Sequence, residues 1–449
     1  MTGRFAGERV LVVGAGVAGI GVADVMVAEG AEVTVSEEAA ELTLGDAATR
    51  LHDLGVPLRS GGHEPGHLDG ATLVVAGPGV PERAPILGWA RARGLPVWGE
   101  MEVGARVCDA PYIAVTGTNG KTTTTGMIAS CLRAGGLDAV ACGNIGHPFP
   151  TAAREGHGAL VVECSSFQLQ LQSSFHPTVS VLLNVAPDHL DWHGSYEAYV
   201  AAKAKIFARQ GEGDVHVGNR DDAEARRVSA GAPCPVMWTT VGTPEPGEIR
   251  FDGDELILAT ELAQRLGPVD GARAGYRSDA AAAAAASVAF GVTAEAVRTG
   301  LATFTPDRHR GETVADIDGV RFIDNSKATN VHAALAAIDG VDDAVLIAGG
   351  DAKGVDLLPL RTRAGRLRGV VAIGEAASEL LRVFEGVVPI ETAATIEGAV
   401  ATAAFMAAPS GTVLLAPACA SWDQFSGYGE RGERFTAAAR ALAEVSSDG

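Results

Sequence analysis

The chain is short of positive charge: 35 lysines and arginines face 55 aspartates and glutamates, for a formal net charge of −20. That balance argues against holding nucleic acid or an anionic membrane by bulk electrostatics. An anionic ligand must instead be held by local devices such as helix N-termini, glycine loops, metal ions and single lysines. The acidic excess also has a plain reading, solubility. No apolar run approaches the ~18 residues of a membrane span, and the alanine run Ala280–Ala286 is too short and too weakly apolar to supply one. The chain enters the apolar run Val10–Val13 almost at once, without the layout of a signal peptide. A soluble cytoplasmic protein with no membrane insertion is expected. Cysteine is sparse and scattered, at Cys108, Cys131, Cys142, Cys164, Cys234 and Cys419, with no C-x-x-C pair. Buried free thiols in a reducing compartment are the better reading over disulfides or a zinc site. No short-period repeat occurs, and no low-complexity segment beyond alanine bias.

What is present is a long chain with ample apolar content. At 449 residues and 47% hydrophobic, it is long enough for about three domains of roughly 150 residues each, and its composition excludes a disordered chain. Strand-like and helix-like segments alternate throughout, which predicts parallel sheets. In the first unit, Arg9–Val13 reads as a strand, followed by a helix to about Glu29 and a second strand at Glu32–Val35. Thr72–Ala76 is a further strand, stopped by Gly77-Pro78-Gly79-Val80-Pro81. A second unit opens near Ala110-Pro111, with strands at Tyr112–Thr116, Ala159–Glu163 and Val179–Asn184. The stretch Val241 to Gly271, rich in glycine, proline and charge, reads as surface hairpin. A third unit has strands at Arg321–Ile323, Ala344–Ala348, Gly369–Ile373 and Thr412–Ala416. The expected domains are 1–108, 109–308 and 309–449, each α/β and each built on a mainly parallel sheet.

Two glycine loops stand where phosphate would bind. Gly14-Ala15-Gly16-Val17-Ala18-Gly19 lies between a strand and a helix, where glycines let backbone approach a diphosphate and the helix dipole favours its charge. The usual occupant is a dinucleotide, but that reading wants an acidic residue ending the second strand. Ser36 ends it and Glu37 comes one step late. A dinucleotide, another nucleotide and a plain tight turn all stay open. The second loop is more specific: Gly117-Thr118-Asn119-Gly120-Lys121-Thr122-Thr123 follows a strand and opens a helix, giving a cradle of backbone N–H groups. Lys121 would reach the β/γ-phosphates and the Thr122 hydroxyl a Mg²⁺ ion. Val115 stands where the first glycine of the ordinary spacing would be, which counts against an ordinary GTPase or kinase. Glu163 ends an apolar strand at the edge where phosphates should lie, as a magnesium ligand requires. His189, within Asn184–Asp191, reads equally as a ligand or as a structural histidine. Lys203, on the predicted helix Tyr196–Phe207, has no role from pattern alone, and an exposed lysine is the default.

These residues converge on a resemblance. G-T-N-G-K-T-T, then Gly143–Gly146, Glu163–Gln168, Asn184–Asp191 and Ala201–Lys203, in that order and spacing, resemble the central domain of the Mur ligase family. In the third unit His309–Glu312, Asp324–Asn330, Ala348–Asp356 and Leu414–Phe425 are similar to the members that add D-glutamate. The resemblance covers essentially the whole chain. It implies a Rossmann-like N-terminal domain, a P-loop ATPase-like central domain and a Rossmann-like C-terminal domain.

It also implies an ATP-dependent amide ligase acting on UDP-N-acetylmuramoyl-L-alanine and D-glutamate, with two Mg²⁺ ions, a carbamylated Lys203 and a monomeric state. Val17, Ala18, Ser36, Glu37 and Gly79 match positions lining the UDP site, so the first loop would hold UDP. Asn144, Ser165, Gln168 and His189 match sugar and diphosphate contacts. Thr122, Glu163, His189 and Lys203 match the metal apparatus; Lys121 and Lys327 join Glu163, His189 and Lys203 as catalytic candidates. Thr329, Lys353, Ser421, Trp422 and Tyr428 match the glutamate pocket. Asp279, Arg310, Asp324 and Asn325 join the central loop as nucleotide contacts. The segment Gly275-Tyr276-Arg277-Ser278-Asp279-Ala280 departs from the family's adenine-contacting pattern, with Asp279 in place of its last asparagine, and Asp324-Asn325 reverses a common order. A folylpolyglutamate-type ligase is the nearest enzyme rival. A nicotinamide dehydrogenase leaves the Lys121 loop and the third unit unexplained, and a non-enzymatic nucleotide-binding regulator has no need of Glu163, His189 and Lys203 together.

Overall fold

The computed structural model describes residues 3–245, 247–252, 255–258, 264–268 and 276–447. The chain divides into two compact units, Met1–Ala272 with Tyr276–Phe304, and Thr305–Gly449 with Arg273–Gly275. The first unit carries two sheets and the second carries one.

The first sheet has five strands in the order Leu58–Arg59, Glu32–Ser36, Arg9–Val13, Leu73–Ala76, Val97–Gly99. All neighbours are parallel. The valine-rich centre is buried on both faces, as a parallel sheet covered by helices requires. Register then sets the function-bearing edge. Val13 sits opposite both Ser36 and Ala76, so three strands end level and their following loops converge. The chain order also reverses at Arg9–Val13, the kind of switch point where open α/β sheets leave a crevice.

The second sheet has nine strands: Gln264–Pro268, Glu255–Leu258, Ile249–Asp252, Val236–Thr239, Val215–Asn219, Val179–Leu182, Tyr112–Thr116, Ala159–Glu163 and Ala139–Gly143. It is parallel from Ile249–Asp252 to Ala139–Gly143, and the last three strands of the chain order pair antiparallel. The stretch read as surface hairpin is therefore an extension of the sheet. Ile249 and Leu256 are fully buried against the alanine helix Arg277–Ala289, which overrides the polar composition around them. Residues 246, 253–254, 259–263 and 269–271 of that stretch lie outside the described residues. Ala280–Ala286 are all buried because small side chains let the helix pack closely on several elements at once. Gly300 shows how close such packing is: a Cβ there would lie 2.4 Å from Cys131 Cα.

The second unit holds six strands: Glu312–Ile317, Val320–Asp324, Gly411–Leu415, Ala344–Gly349, Leu367–Ile373 and Ile390–Thr392. Only the first pair is antiparallel. One face is covered by Val331–Asp339 and Ala377–Phe384, the other by Ile396–Ala407 and Tyr428–Ser447. Leu415 pairs with both Asp324 and Ile347, and Gly349 with Ile373, so the loops at 325, 350, 374 and 416 leave from one edge.

Candidate active site

At the first sheet edge the chain turns on Gly14, whose φ of +97° favours glycine. Gly16 caps the helix Val17–Ala28 without a side-chain bond. Gly19 is held by contact: a Cβ there would lie 2.0 Å from the Gly14 carbonyl oxygen, so only glycine lets helix and loop approach. Glu37 closes the loop from the next strand, accepting Ala15 N–H at 2.6 Å and Ala39 N–H at 2.9 Å.

The loop opens onto a cavity of about 860 Å³. Val17, Ala18, Glu37, Gly79, Asn144 and Gln168 all line it, so both sheets of the first unit contribute. Ser36 does not. It is fully buried, and its hydroxyl lies 2.7 Å from His63 Nδ1 and 2.8 Å from His67 Nδ1. One hydroxyl proton cannot serve both rings, so one histidine accepts it and the other donates its own Nδ1 proton. His63 itself reaches the cavity wall. Ser165 is buried behind Gln168: Ser165 N–H donates to Gln168 Oε1 at 2.8 Å and Gln168 N–H to Ser165 Oγ at 3.2 Å. That reciprocal cap fixes Gln168, which donates to Glu100 Oε1 at 2.7 Å. His63, Arg83 and Glu100 line the cavity without any motif to announce them. Glu100 directly follows the strand Val97–Gly99, too short a segment to be read from sequence.

At the second sheet edge the loop turns on Gly120, with φ +83°, and a Cβ there would sit 2.2 Å from Asp279 Oδ1. Lys121 opens the helix Lys121–Ala134 and its Nζ donates to the carbonyls of Gly117 and Thr118, both at 2.9 Å. Lys203 reaches the same Gly117 carbonyl at 2.6 Å. It is 1% exposed, the reverse of the pattern-based default, and its ammonium lies 4.7 Å from the Tyr199 ring centre. Burial, then Lys121, pushes the Lys203 pKa well below its ordinary value. Its helix is Tyr196–Ala204, continued to Phe207 as a tighter 3₁₀ turn.

The rest of that loop is braced by side chains. Thr118 Oγ1 lies 2.9 Å from Tyr199 OH and accepts Ala186 N–H at 2.9 Å, while Asn119 N–H donates to Asn184 Oδ1 at 2.9 Å. Thr122 is half-buried and Thr123 buried at the start of the helix. Glu163 is 2% exposed; Asn144 Nδ2 donates to its Oε1 at 2.9 Å, and its Oε2 has no hydrogen-bond partner. His189 adopts a left-handed backbone, φ +52°, beside Asp188 at 3.6 Å and against the Phe167 ring.

In the second unit, Asp324 is fully buried, its carboxylate engaged by His309 Nδ1 at 2.7 Å, Ser326 N–H at 3.0 Å and Thr436 Oγ1 at 3.3 Å. That makes it a brace for its loop. Asn325, half-buried, pairs by backbone with Leu415, and Arg310 pairs loosely with Asp307 at 3.8 Å. Lys327 Nζ stands 3.9 Å from the Tyr428 ring centre. Thr329 is half-buried, Ser421 buried and Trp422 exposed. Lys353 is exposed on a left-handed turn, φ +50°, whose N–H bonds Asp351 Oδ1 at 2.8 Å.

Arg431, which no sequence pattern singled out, ties these loops together. Wholly buried, it donates to Ser326 Oγ at 3.0 Å, Ser326 O at 2.9 Å and Cys419 O at 3.3 Å. Burial lowers its pKa to about 10, so it stays charged at neutral pH. Asp351 and Ala420 exchange backbone hydrogen bonds, which joins the Lys353 turn to the Ser421 loop.

Among the described residues, no helix is long and apolar enough to cross a membrane, and no three His, Cys, Asp or Glu side chains form a preformed metal cage.

Known proteins resemble this chain over nearly its full length. The Mur ligase middle domain matches residues 115–249, and the MurD-like N-terminal domain of Mur ligases matches residues 8–99. A UDP-N-acetylmuramoylalanine–D-glutamate ligase from Frankia casuarinae is 42% identical over 97% of this chain and 95% of its own length. The enzyme of the same name from Thermobifida fusca is 42% identical over 97% of this chain and 99% of its own. Among solved structures, a pseudomurein peptide ligase type C from Methanothermus fervidus superposes with a TM-score of 0.62 at 17% identity, covering 98% of this chain and 100% of that one. A UDP-N-acetylmuramate–alanine ligase from Thermotoga maritima gives 0.60 at 18% identity, covering 97% and 99%. At such identities the structures speak for the fold, while the sequence relatives carry the lineage: the chain belongs to the Mur ligase family.

Proposed function

We propose that this chain is an ATP-dependent amide ligase that joins D-glutamate to UDP-N-acetylmuramoyl-L-alanine in peptidoglycan precursor synthesis. The activity in the names of the relatives supports this reading. The observation that carries it is the second glycine loop, whose Gly117 carbonyl is reached both by Lys121 at the helix start and by the buried Lys203. A backbone N–H cradle with a lysine at its helix start offsets the charge of a bound nucleotide's phosphates.

The domains fall at 1–108 for UDP substrate, 109–308 for ATP and 309–449 for glutamate. The cavity of the first unit takes the nucleotide sugar, with Val17, Ala18, Glu37, Gly79, Asn144 and Gln168 on its wall and Ser36 acting through His63. The loop Gly117–Thr123, with Asp279, takes the ATP phosphates; Arg310, Asp324 and Asn325 belong to the nucleotide's contacts through their loop. Thr329, Lys353, Ser421, Trp422 and Tyr428 form the glutamate pocket.

The family implies Mg²⁺, and the donor set fits it. The orphaned Glu163 Oε2 is a hard oxygen awaiting a partner, and Mg²⁺ typically binds through one or two carboxylates plus substrate phosphates, without a full protein cage. Thr122, Glu163, His189 and Lys203 as a carbamate would hold two ions, which neutralise phosphate charge when bound. Lys203 suits carbamylation: burial favours the neutral amine, which can take up CO₂ and release a proton, giving an anion where a buried ammonium would be costly.

The substrate's alanyl carboxylate attacks the ATP γ-phosphate, forming an acyl phosphate and releasing ADP. The glutamate amine then attacks the acyl carbon, and phosphate leaves with the C–O bond electrons as the amine loses its proton. Lys121 offsets charge on the transferring phosphoryl group and Lys327 the charge near the acceptor. Phosphate release with UDP-N-acetylmuramoyl-L-alanine and a panel of D- and L-amino acids tests the reading. D-glutamate should be selected, and Lys353→Ala should raise its KM by at least about tenfold while sparing that of ATP. Equal turnover with alanine, or no dependence on the nucleotide sugar, overturns it.

A further inference from the structure

We propose that Glu100 is a specificity-determining residue of the first-unit cavity, a neutral carboxylic acid whose Oε2 donates a hydrogen bond to an acceptor oxygen of the bound nucleotide sugar. This rests on the functional reading above.

The geometry comes first. Glu100 opens the helix Glu100–Val107, is 2% exposed and lines the cavity. Its Oε1 is held by Gln168 Nε2 at 2.7 Å, and its Oε2 has no hydrogen-bond partner. A buried polar atom with no partner, in a side chain that lines the cavity, costs free energy that a ligand can recover.

The charge state follows from what surrounds it. Cys142, on the strand Ala139–Gly143, and Cys164, just past the strand Ala159–Glu163, carry thiols that burial keeps neutral. On its own helix, Glu102 turns to the Ser173 and Ser174 N–H groups and to Arg106. From the helices packed against it, Arg154 pairs with Glu29 and Asp24 with Arg50. Glu163, at the next strand end, is held by Asn144. The helix N-terminus favours an anion at Glu100, but by only about 1 kcal/mol, against a larger penalty for burying an unpaired charge. Burial moves its pKa up to about 7, with the Gln168 bond opposing.

Ligand chemistry points the same way. A diphosphate and its sugar offer acceptor oxygens and repel carboxylates. Glu37 avoids conflict by spending its charge on two backbone N–H groups. Glu100 avoids it by holding its proton.

The test is the KM for UDP-N-acetylmuramoyl-L-alanine from about pH 6 to about pH 9, with calorimetric proton uptake on binding in two buffers of different ionisation enthalpy. In wild type the KM should climb towards about tenfold per pH unit above neutrality, with proton uptake, while the KM for ATP does not follow. Glu100→Ala should raise the KM about five- to tenfold at acid pH. Glu100→Gln, which keeps a donor at the Oε2 position, should rescue most of that loss and flatten the alkaline climb. An active wild type with a pH-independent KM, or Glu100→Gln no better than Glu100→Ala, overturns the inference. A wild type that neither binds the nucleotide sugar nor releases phosphate overturns the functional reading itself.

Discussion

The two glycine loops of the first unit are built alike and charged differently. Each follows a buried parallel strand, turns on a glycine of positive φ, Gly14 or Gly120, and starts a helix whose capping glycine offers no side chain. The first helix begins with Val17 and Ala18, and the cavity wall it faces carries Glu37, Glu38 and Glu100 beside Arg83. The second begins with Lys121, whose ammonium is set on the carbonyls of Gly117 and Thr118. A loop that grips a finished diphosphate can work with backbone N–H groups and shape. A loop where a phosphoryl group moves must offset charge that grows in the transition state, and cations do that. The same scaffold thus supports binding in one place and chemistry in the other.

Removing the cation from the second loop should separate the two roles most sharply. Lys121→Ala should lower phosphate release by at least about 10²–10³, while the Kd for the nucleotide sugar, measured by calorimetry, stays within about threefold of wild type. Comparable losses in both would end the division of labour between the loops. Lys203→Ala should cost about 10² in turnover because the carbamate that would hold the metal is lost, with partial rescue by added acetate. Wild type stripped of CO₂ should lose activity and regain it with bicarbonate. An intact mass showing unmodified lysine in fully active enzyme would remove the carbamate.

Much of this contrast was legible in the sequence. Strands such as Arg9–Val13 and Tyr112–Thr116 announce themselves as apolar runs stopped by glycine, and the structure has them with the same bounds. Short edge strands such as Leu58–Arg59 and Val97–Gly99 were missed because two or three partly buried residues carry no period. The site was legible where function sits in a contiguous motif, as in Gly117–Lys121. It was illegible where distant segments meet. His63 is held at the cavity by Ser36 and Glu100 by Gln168, and among the described residues Arg431 bonds carbonyls and one hydroxyl. Lys203 looked like a surface lysine because a helix's sequence does not say which face another loop will cover.

The first loop can be broken without touching charge. A Cβ on Gly19 would stand 2.0 Å from the Gly14 carbonyl oxygen, which is backbone and cannot swing away. Gly19→Ala must move the helix off the loop, at a cost of about 1–3 kcal/mol in stability. The N–H groups at the helix start then miss their target. The KM for the nucleotide sugar should rise about tenfold, equivalent to roughly 1.4 kcal/mol, with the KM for ATP nearly constant. A matching rise for ATP would mean that the two loops are not independent.

The smallest expected effect reads the charge of the cavity through stability alone, with no substrate present. Burial raises the pKa of Glu100 from its ordinary value of 4.5 to about 7. Between those two values the folded protein holds a proton that the unfolded chain releases, so this group's contribution to stability falls as pH rises through that window. Below it, both states are protonated and the contribution is fully present; above it, the loss is complete. Glu100→Gln removes the titration. Its Tm should therefore fall less than that of wild type between about pH 5 and about pH 8, and exceed wild type by a few degrees at the upper end. Lys121→Ala, at the other loop, should leave that slope in place. Parallel Tm–pH curves for wild type and Glu100→Gln would mean that Glu100 is ionised in the folded protein, and the first cavity would then hold its anionic ligand against a buried negative charge.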